Sequence, residues 1–321
     1  MSVAPAAAEA IRGRRVAGRF GDRVLRLVTL LAALAAVALV GAIAFKIFDG
    51  ARHAISHFGL GFLGGMTWDT TRNVFGAGPL LYGTAVTCVI ALLVATPLAL
   101  AIGLYLSELA PTGVRGAIGS LVELLAAIPS VVLGLWGILV MGPFLAQHVE
   151  PWLHSNLGFL PIFSGDPSQS GLFVAGLILA IMVLPIIASI SRELFLAVPR
   201  ELEEGALALG ATRWEMVKGV VLSSARPGIA AAVILGLGRA LGEAIAVTQV
   251  SGSGFAIHAS LFQPGDTLAS RIAAQFQGAV TKLQISSLFY LAAILLVIGL
   301  VTNLLAQLVV RRFEYQRIGA D

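Results

Sequence analysis

The stretch PGIAAAVILGLGRALGEAIAVTQV, residues 227–250, is long and apolar enough to cross a membrane but carries two charged residues. About 20 residues of helix cross the hydrocarbon core of a bilayer. Arg239 and Glu243 are four residues apart, which places them on one face of a helix. A charge at the bilayer centre costs roughly 2.5–3.5 kcal/mol on insertion scales. The stretch therefore predicts a membrane helix that lines a polar pathway or a ligand site.

The composition of the whole chain agrees with a membrane protein. Of its 321 residues, 58% are hydrophobic and 12% are charged, whereas a soluble domain has about 25% charged residues. A single cysteine, Cys88, excludes an internal disulfide. We predict an all-α integral membrane protein with six transmembrane helices. The apolar runs lie near residues 25–47, 80–106, 119–146, 172–191, 227–250 and 286–310.

The distribution of basic residues predicts the orientation of these helices. With both termini in the cytoplasm, fifteen of the 21 Lys and Arg residues lie on the cytoplasmic side, five lie on the other side, and Arg239 lies within a span. The positive-inside rule states that cytoplasmic segments carry an excess of Lys and Arg, and this orientation satisfies it. Segments 1–24 and 313–321 are thus expected to be cytoplasmic. Because topology accounts for the basic residues, no nucleic-acid partner is expected.

The segment VPRELEEGALALGATRWEMVKGVVLSSARPG, residues 198–228, predicts a helix–turn–helix on the cytoplasmic side. Gly210 is expected to end the first helix. Thr212 and Glu215 have the spacing of a capping box, which predicts the start of a second helix. From the residues alone, this element is either an amphipathic helix at the membrane surface or a docking helix for a soluble partner.

This loop resembles the EAA loop of bacterial ABC importer permeases, in which Glu-Ala-Ala is followed after three residues by Gly. Here the pattern is Glu204-Gly205-Ala206 and Gly210, and Leu222 is followed by Ser223 where the family has proline. The resemblance implies a type I, MetI-like permease domain over residues 25–312. It also implies that the loop couples the permease to an ATPase. The expected coupling residues are Glu204, Gly205, Ala206, Gly210, Thr212 and Trp214.

The chain itself lacks a nucleotide-binding motif. A P-loop needs Gly-Lys-Ser/Thr to hold phosphates, but the residues before the three lysines are Phe45, Val217 and Thr281. We therefore expect a non-catalytic subunit without a cofactor of its own, with ATP and Mg²⁺ bound by a separate ATPase. The five histidines show no metal-ligand spacing backed by carboxylates, so no metal site is expected.

Four further segments make the resemblance more specific. They are SELAP (107–111), ELLAAIPSVVLGLWG (123–137), AGLILAIMVLPIIASISRELF (175–195) and LGLGRALGEAIAVT (235–248). Together they resemble the PstC-type permease family of phosphate ABC importers. The resemblance implies a bacterial inner-membrane protein that forms a heterodimer with a PstA-like permease. It further implies two PstB-like ATPases and a PstS-like periplasmic phosphate-binding protein.

In that family the arginine and the glutamate of this helix are implicated in phosphate translocation, and they correspond to Arg239 and Glu243. An arginine guanidinium has five donors in a planar fork that suits phosphate oxygens. Glu243 can neutralise it in the absence of the ion and limit the affinity for phosphate. Alternatively, the two residues form an ion pair that only holds helices together.

Other functions remain open from the sequence. The same architecture serves an importer of another oxyanion, such as molybdate or sulfate, and a self-contained secondary transporter is a further alternative. A membrane enzyme is not supported, because no nucleophile–base pair is visible. Between the last two spans, Asp266 or Thr267 is expected to cap a helix that runs to about Gly278 with Arg271 and Gln275 on its polar face.

Overall fold

The computed structural model of the chain describes the backbone of residues 4–318 and the side chains of residues 21–111 and 113–308. Within this range the regular structure is helical, apart from two isolated β-bridges, Asp69 with Val74 and Gly252 with Gly265. The chain divides into a unit of residues 1–50 and a unit of residues 51–321. Most of the predicted terminal segment 1–24 and all of 313–321 lie outside the described side chains.

Six helices of the described residues are long and apolar enough to cross a membrane, which confirms the predicted number. The first belongs to the helix Ala4–Phe58 and the last to the helix Lys282–Ile318. We number them span 1 to span 6 in chain order. They run Gly21–Phe58, Gly78–Leu109, Ser130–Leu157, Leu172–Leu196, Arg213–Gly242 and Lys282–Leu308.

The predicted third span, 119–146, is wrong at both ends, because the structure divides its first part between two helices and continues span 3 to Leu157. The first is the helix Thr112–Ala126, which we call the bridging helix. Span 3 begins at Ser130, after Pro129 in an extended conformation with ψ of 139°. Proline has no backbone N–H and disfavours helical geometry in the residue before it. The apolar run continues through this break, so hydrophobicity alone does not reveal it.

The predicted fifth span, 227–250, is wrong at both ends. The helix begins at Arg213, and Pro227 lies inside it. The second helix of the predicted helix–turn–helix is therefore not a separate surface element, since it continues through a π-helical turn, Val217–Val221, into span 5. At the other end, the helix stops at Gly242 and a separate short helix, Ile245–Val250, follows.

Span 4 lies at the centre of the packed helices, against spans 2 and 5. Small residues allow this close approach, as is common between membrane helices. A Cβ atom on Gly176 of span 4 would lie 2.6 Å from the Cβ atom of Ile90 in span 2. One on Gly236 of span 5 would lie 2.7 Å from a methyl group of Val183 in span 4. Span 4 thus fixes the positions of the helices that carry the charged residues.

The segment between spans 5 and 6 contains the helix Leu268–Gln275, with Thr267 as its cap. Arg271 was expected on a polar face, but its side chain is buried, with Nε 2.9 Å from Oδ2 of Asp266. Gln275 also points inward and accepts a hydrogen bond of 2.7 Å from Nε1 of Trp68. The prediction that Arg271 and Gln275 form a polar face was wrong. The carboxylate of Asp266 and the indole N–H of Trp68 give these two side chains partners inside the protein.

Candidate functional site

Two interruptions of the membrane helices form the frame of the candidate site. One separates the bridging helix from span 3 at residues 127–129, and the other separates span 5 from the short helix Ile245–Val250. Glu243 is not helical, because its ψ is 116°. Interrupted helices leave backbone groups without helical partners, which membrane proteins tolerate where the chain is buried or lines a cavity.

The helices that follow these two breaks lie in direct contact. A Cβ atom on Gly134 of span 3 would lie 2.9 Å from the Cα atom of Ala246 and 2.6 Å from Oε1 of Gln249. Glycine at position 134 therefore allows span 3 and the short helix Ile245–Val250 to approach backbone to backbone. The sequence signals of the two breaks, Ile128-Pro129 and Gly242-Glu243, are separated by more than a hundred residues, so only the fold shows that they meet.

Arg239 lines a cavity of about 180 Å³ beside these breaks. The other lining residues are apolar and come from the bridging helix, the first break, span 3 and span 4: Leu125, Ala126, Ile128, Leu133, Met182 and Ile186. The side chain of Arg239 is 52% exposed. A guanidinium carries a positive charge and a planar fork of donors that matches the oxygens of an oxyanion. The cavity is thus suited to an oxyanion.

Arg239 and Glu243 are brought together, as their spacing predicted, although not on one continuous helix. Nη2 of Arg239 lies 3.7 Å from Oε2 of Glu243. Glu243 is only 8% exposed, and its Oε1 accepts a hydrogen bond of 3.5 Å from the backbone N–H of Ala246. Glu243 is therefore buried at the helix break, whereas Arg239 is half exposed and lines the cavity.

The predicted coupling residues lie in the loop between spans 4 and 5 and at the start of span 5. The first helix of this loop, Arg200–Ala208, is called the loop helix here. Gly210 has a φ of +89°, in the left-handed region that glycine adopts without strain. The predicted capping box is confirmed: Glu215 N–H donates to Oγ1 of Thr212, and Thr212 N–H donates to Oε2 of Glu215.

Large apolar side chains of this loop are exposed. Leu209 is 92% exposed and Trp214 is 67% exposed. Glu204 and Gly205 are exposed as well, and Ala206 packs against a buried cluster that includes Phe195. Exposed apolar groups around charged ones are typical of a surface that another protein covers. Five of the six predicted coupling residues lie in the loop between spans 4 and 5, and Trp214 lies in the first turn of span 5 beside them.

A second cavity, of about 310 Å³, lies between the loop helix and the start of the bridging helix. Its charged lining residues are Glu108, Arg115, Arg200, Glu203 and Glu204. Burial raises the pKa of Glu203, and the neighbouring carboxylate of Glu108 raises it further. The sequence analysis did not single out Arg115 or Glu203, because the residues meet only through the fold.

The described residues contain no group of three or more His, Cys, Asp or Glu side chains that could hold a metal ion. At the first cavity the one charged lining side chain among the described residues is Arg239, and the carboxylate of Glu243 lies 3.7 Å from its guanidinium.

Similarity to known proteins extends over the entire chain. A family model described as "Binding-protein-dependent transport system inner membrane component" matches residues 99–315. The phosphate transport system permease protein PstC of Mesorhizobium japonicum is 41% identical, with 100% of both chains covered. The PstC protein of Haemophilus influenzae is 42% identical over 89% of this chain and 92% of its own.

A solved structure of a bacterial alginate ABC transporter, in complex with an alginate pentasaccharide-bound periplasmic protein, has a similar fold. Its TM-score is 0.58 at 18% sequence identity, and the alignment covers 88% of this chain and 94% of that one. At this identity the similarity concerns the fold alone. It confirms the predicted fold class, an ABC transporter permease with six membrane helices.

Proposed function

The chain belongs to the family of binding-protein-dependent transport system inner membrane components, and from this premise we propose that it is the permease subunit of an ATP-driven importer of inorganic phosphate. Relatives named as phosphate transport permeases, at about 40% identity along the chain, support phosphate as the substrate. The structural observation that carries the proposal is the position of Arg239, half exposed in an apolar cavity between two interrupted helices.

Arg239 binds phosphate oxygens transiently during passage. Its guanidinium is charged at any physiological pH and can donate two parallel hydrogen bonds to one phosphate. Glu243, held 3.7 Å away, repels the same anion and competes for the guanidinium. This competition keeps the affinity low enough for the ion to leave, which a transport pathway requires. Arg239 and Glu243 are thus proposed as the pathway residues of this subunit.

The energy for transport comes from other chains. The sequence has no P-loop, so ATP and Mg²⁺ bind to a separate ATPase, and this subunit is non-catalytic and has no cofactor. The exposed Leu209 and Trp214 of the loop between spans 4 and 5 are suited to a groove on such a subunit. The proposed complex contains a PstA-like permease, two PstB-like ATPases and a PstS-like periplasmic phosphate-binding protein.

We place the chain in the bacterial inner membrane with both termini in the cytoplasm. The six apolar helices support insertion in a lipid bilayer. The distribution of Lys and Arg supports the orientation, because it puts the loop between spans 4 and 5 on the cytoplasmic side, where ATP is available.

The proposal is tested by reconstitution of the chain in vesicles with its partner permease and ATPases. Radioactive phosphate uptake and ATP hydrolysis are measured with the loaded binding protein outside, and sulfate and molybdate are offered in parallel. We expect phosphate uptake that requires ATP and the binding protein. Preferential uptake of sulfate or molybdate would assign another oxyanion, and uptake by this chain alone would indicate a secondary transporter.

A further inference from the structure

The bridging helix, Thr112–Ala126, connects the two cavities. Near its beginning, Arg115 lines the cavity that it shares with the loop helix. At its end, Leu125 and Ala126 line the cavity that contains Arg239. A helix of this length spans roughly 22 Å at 1.5 Å per residue. One rigid element therefore touches both the coupling loop and the proposed phosphate pathway.

Arg115 attaches the bridging helix to the end of span 2. Its Nη2 donates a hydrogen bond of 2.7 Å to the backbone carbonyl of Ser107 and a longer one, of 3.5 Å, to that of Ala110. Its Nε is buried and has no hydrogen-bond partner. A buried donor without a partner is destabilising, and more so when it is charged. Arg115 therefore has capacity for a further acceptor.

The loop helix presents carboxylates to the same cavity. Glu203 and Glu204 line it together with Arg200 of the loop helix and Glu108 of span 2. Among the described side chains, Arg115 and Glu203 do not form an ion pair with each other. Burial and the carboxylate of Glu108 raise the pKa of Glu203, and the nearby Arg200 lowers it only in part. The space between the two helices is about 310 Å³.

We propose that the bridging helix transmits movement of the loop helix to the Arg239 cavity, through an ion pair that Arg115 and Glu203 form when the loop helix moves towards the bridging helix. The inference rests on the proposed function, in which an ATPase moves the loop. Formation of the pair turns the bridging helix about its break at residues 127–129. Leu125 and Ala126 then shift against Arg239 and change the walls of the cavity. Arg115 is thus a positioning residue for transport, without contact to phosphate.

The experiment exchanges the charges in the complete reconstituted complex. Phosphate uptake and ATP hydrolysis are measured for Arg115→Glu, for Glu203→Arg and for the double variant. Because coupling between sites is typically worth about 1–3 kcal/mol, we expect each single variant to lower the uptake per ATP about tenfold. We expect the double variant to restore most of the phosphate uptake per ATP. Glu123→Gln is the matched control, because Glu123 is exposed on the bridging helix and lines neither cavity.

If the double variant assembles normally but its phosphate uptake per ATP is as low as that of the single variants, the proposed ion pair is refuted. If the reversed charges prevent assembly, cross-linking decides instead. Cysteines replace Arg115 and Glu203 in a Cys88→Ala background, and a short bifunctional reagent is applied with and without ATP. More cross-linking in one nucleotide state supports the proposal, and equal cross-linking in both contradicts it. Absence of phosphate uptake by the wild-type complex would instead refute the proposed function.

Discussion

The carboxylate of Glu243 lies 3.7 Å from the guanidinium of Arg239, although the two residues do not belong to the same helix. Arg239 is in the last turn of span 5, and Glu243 follows the end of that helix at Gly242. The two side chains differ in exposure, since Arg239 is 52% exposed and Glu243 is 8% exposed. The cation of the pair is therefore accessible to an ion in the cavity, whereas the anion is buried.

Replacement of Arg239 by Gln is expected to lower phosphate uptake about tenfold or more, because a hydrogen bond to a charged group contributes about 1.5–3 kcal/mol. Uptake by the reconstituted complex is the measurement, after the amount of assembled complex has been confirmed. Arg226→Gln is the control, since Arg226 is an exposed arginine on the same span. Uptake by Arg239→Gln at the wild-type level would exclude a contact with the ion.

Arg239→Gln also leaves Glu243 without its partner, and an unpaired carboxylate at this site could destabilise the subunit. The double variant Arg239→Gln with Glu243→Gln removes this difficulty. We expect it to assemble like the wild type but to transport as poorly as Arg239→Gln. Recovery of uptake in the double variant would indicate that the pair only holds the helices together.

Replacement of Glu243 by Gln alone is expected to preserve the fold, because the amide oxygen can still accept a hydrogen bond from the N–H of Ala246. The change removes the charge that competes with phosphate. Half-exposed pairs contribute about 0.2–1 kcal/mol, so we expect the maximal uptake rate to fall by a factor of roughly two to five through slower release. Initial rates at saturating binding protein test this, and a faster variant would contradict it.

Replacement of Trp214 by Ala is expected to weaken the attachment of the ATPase. The side chain is 67% exposed, so its removal should hardly affect the fold of the subunit. Aromatic residues at the centre of an interface often contribute about 2 kcal/mol or more. Copurification of the ATPase with the permease is the measurement. Trp152→Ala is the control, because Trp152 is 60% exposed and lies in span 3, away from the loop.

Two glycines of the coupling loop should respond differently to replacement by Ala. Neither added Cβ atom would meet another atom within 4 Å, so packing does not distinguish the two positions. Gly210, however, has a φ of +89°, where a side chain costs about 1–2 kcal/mol. Gly205 is helical, where Ala is about 1 kcal/mol more favourable than Gly. Thermal unfolding of the purified complex should show a loss of stability for Gly210→Ala alone.

Replacement of Gly134 by Ala tests the contact between the two interrupted helices. The new Cβ atom would lie 2.6 Å from Oε1 of Gln249 and 2.9 Å from the Cα atom of Ala246. Excess packing of this kind costs about 1–3 kcal/mol, so we expect a less stable complex and reduced uptake. At Gly238 an added Cβ atom meets nothing within 4 Å, and Gly238→Ala should be tolerated. Equal stability of the two variants would contradict the observed contact.

Much of the molecule could be predicted from local signals. Apolar runs identified all six spans, because burial in lipid demands a long uninterrupted apolar segment. The capping box of Thr212 and Glu215 and the helix end at Gly210 were also predictable, since both depend on residues that are close in sequence. The helix break at residues 127–129 was missed because apolar residues continue through it. The burial of Arg271 was missed because one of its flanking groups, Trp68, is distant in the chain.

The sequence by itself determined that this is a membrane protein with six apolar helices and a charged pair in its fifth apolar run, and its motifs carried the resemblance to ABC importer permeases. The helices and the pair follow from composition and short-range spacing, and the family follows from the resemblance, so none of them needs knowledge of the fold. Only the tertiary structure decided that the breaks at residues 127–129 and 243–244 adjoin Arg239, and that the bridging helix extends from that cavity to the coupling loop. These relationships depend on packing between distant segments, which no local pattern specifies.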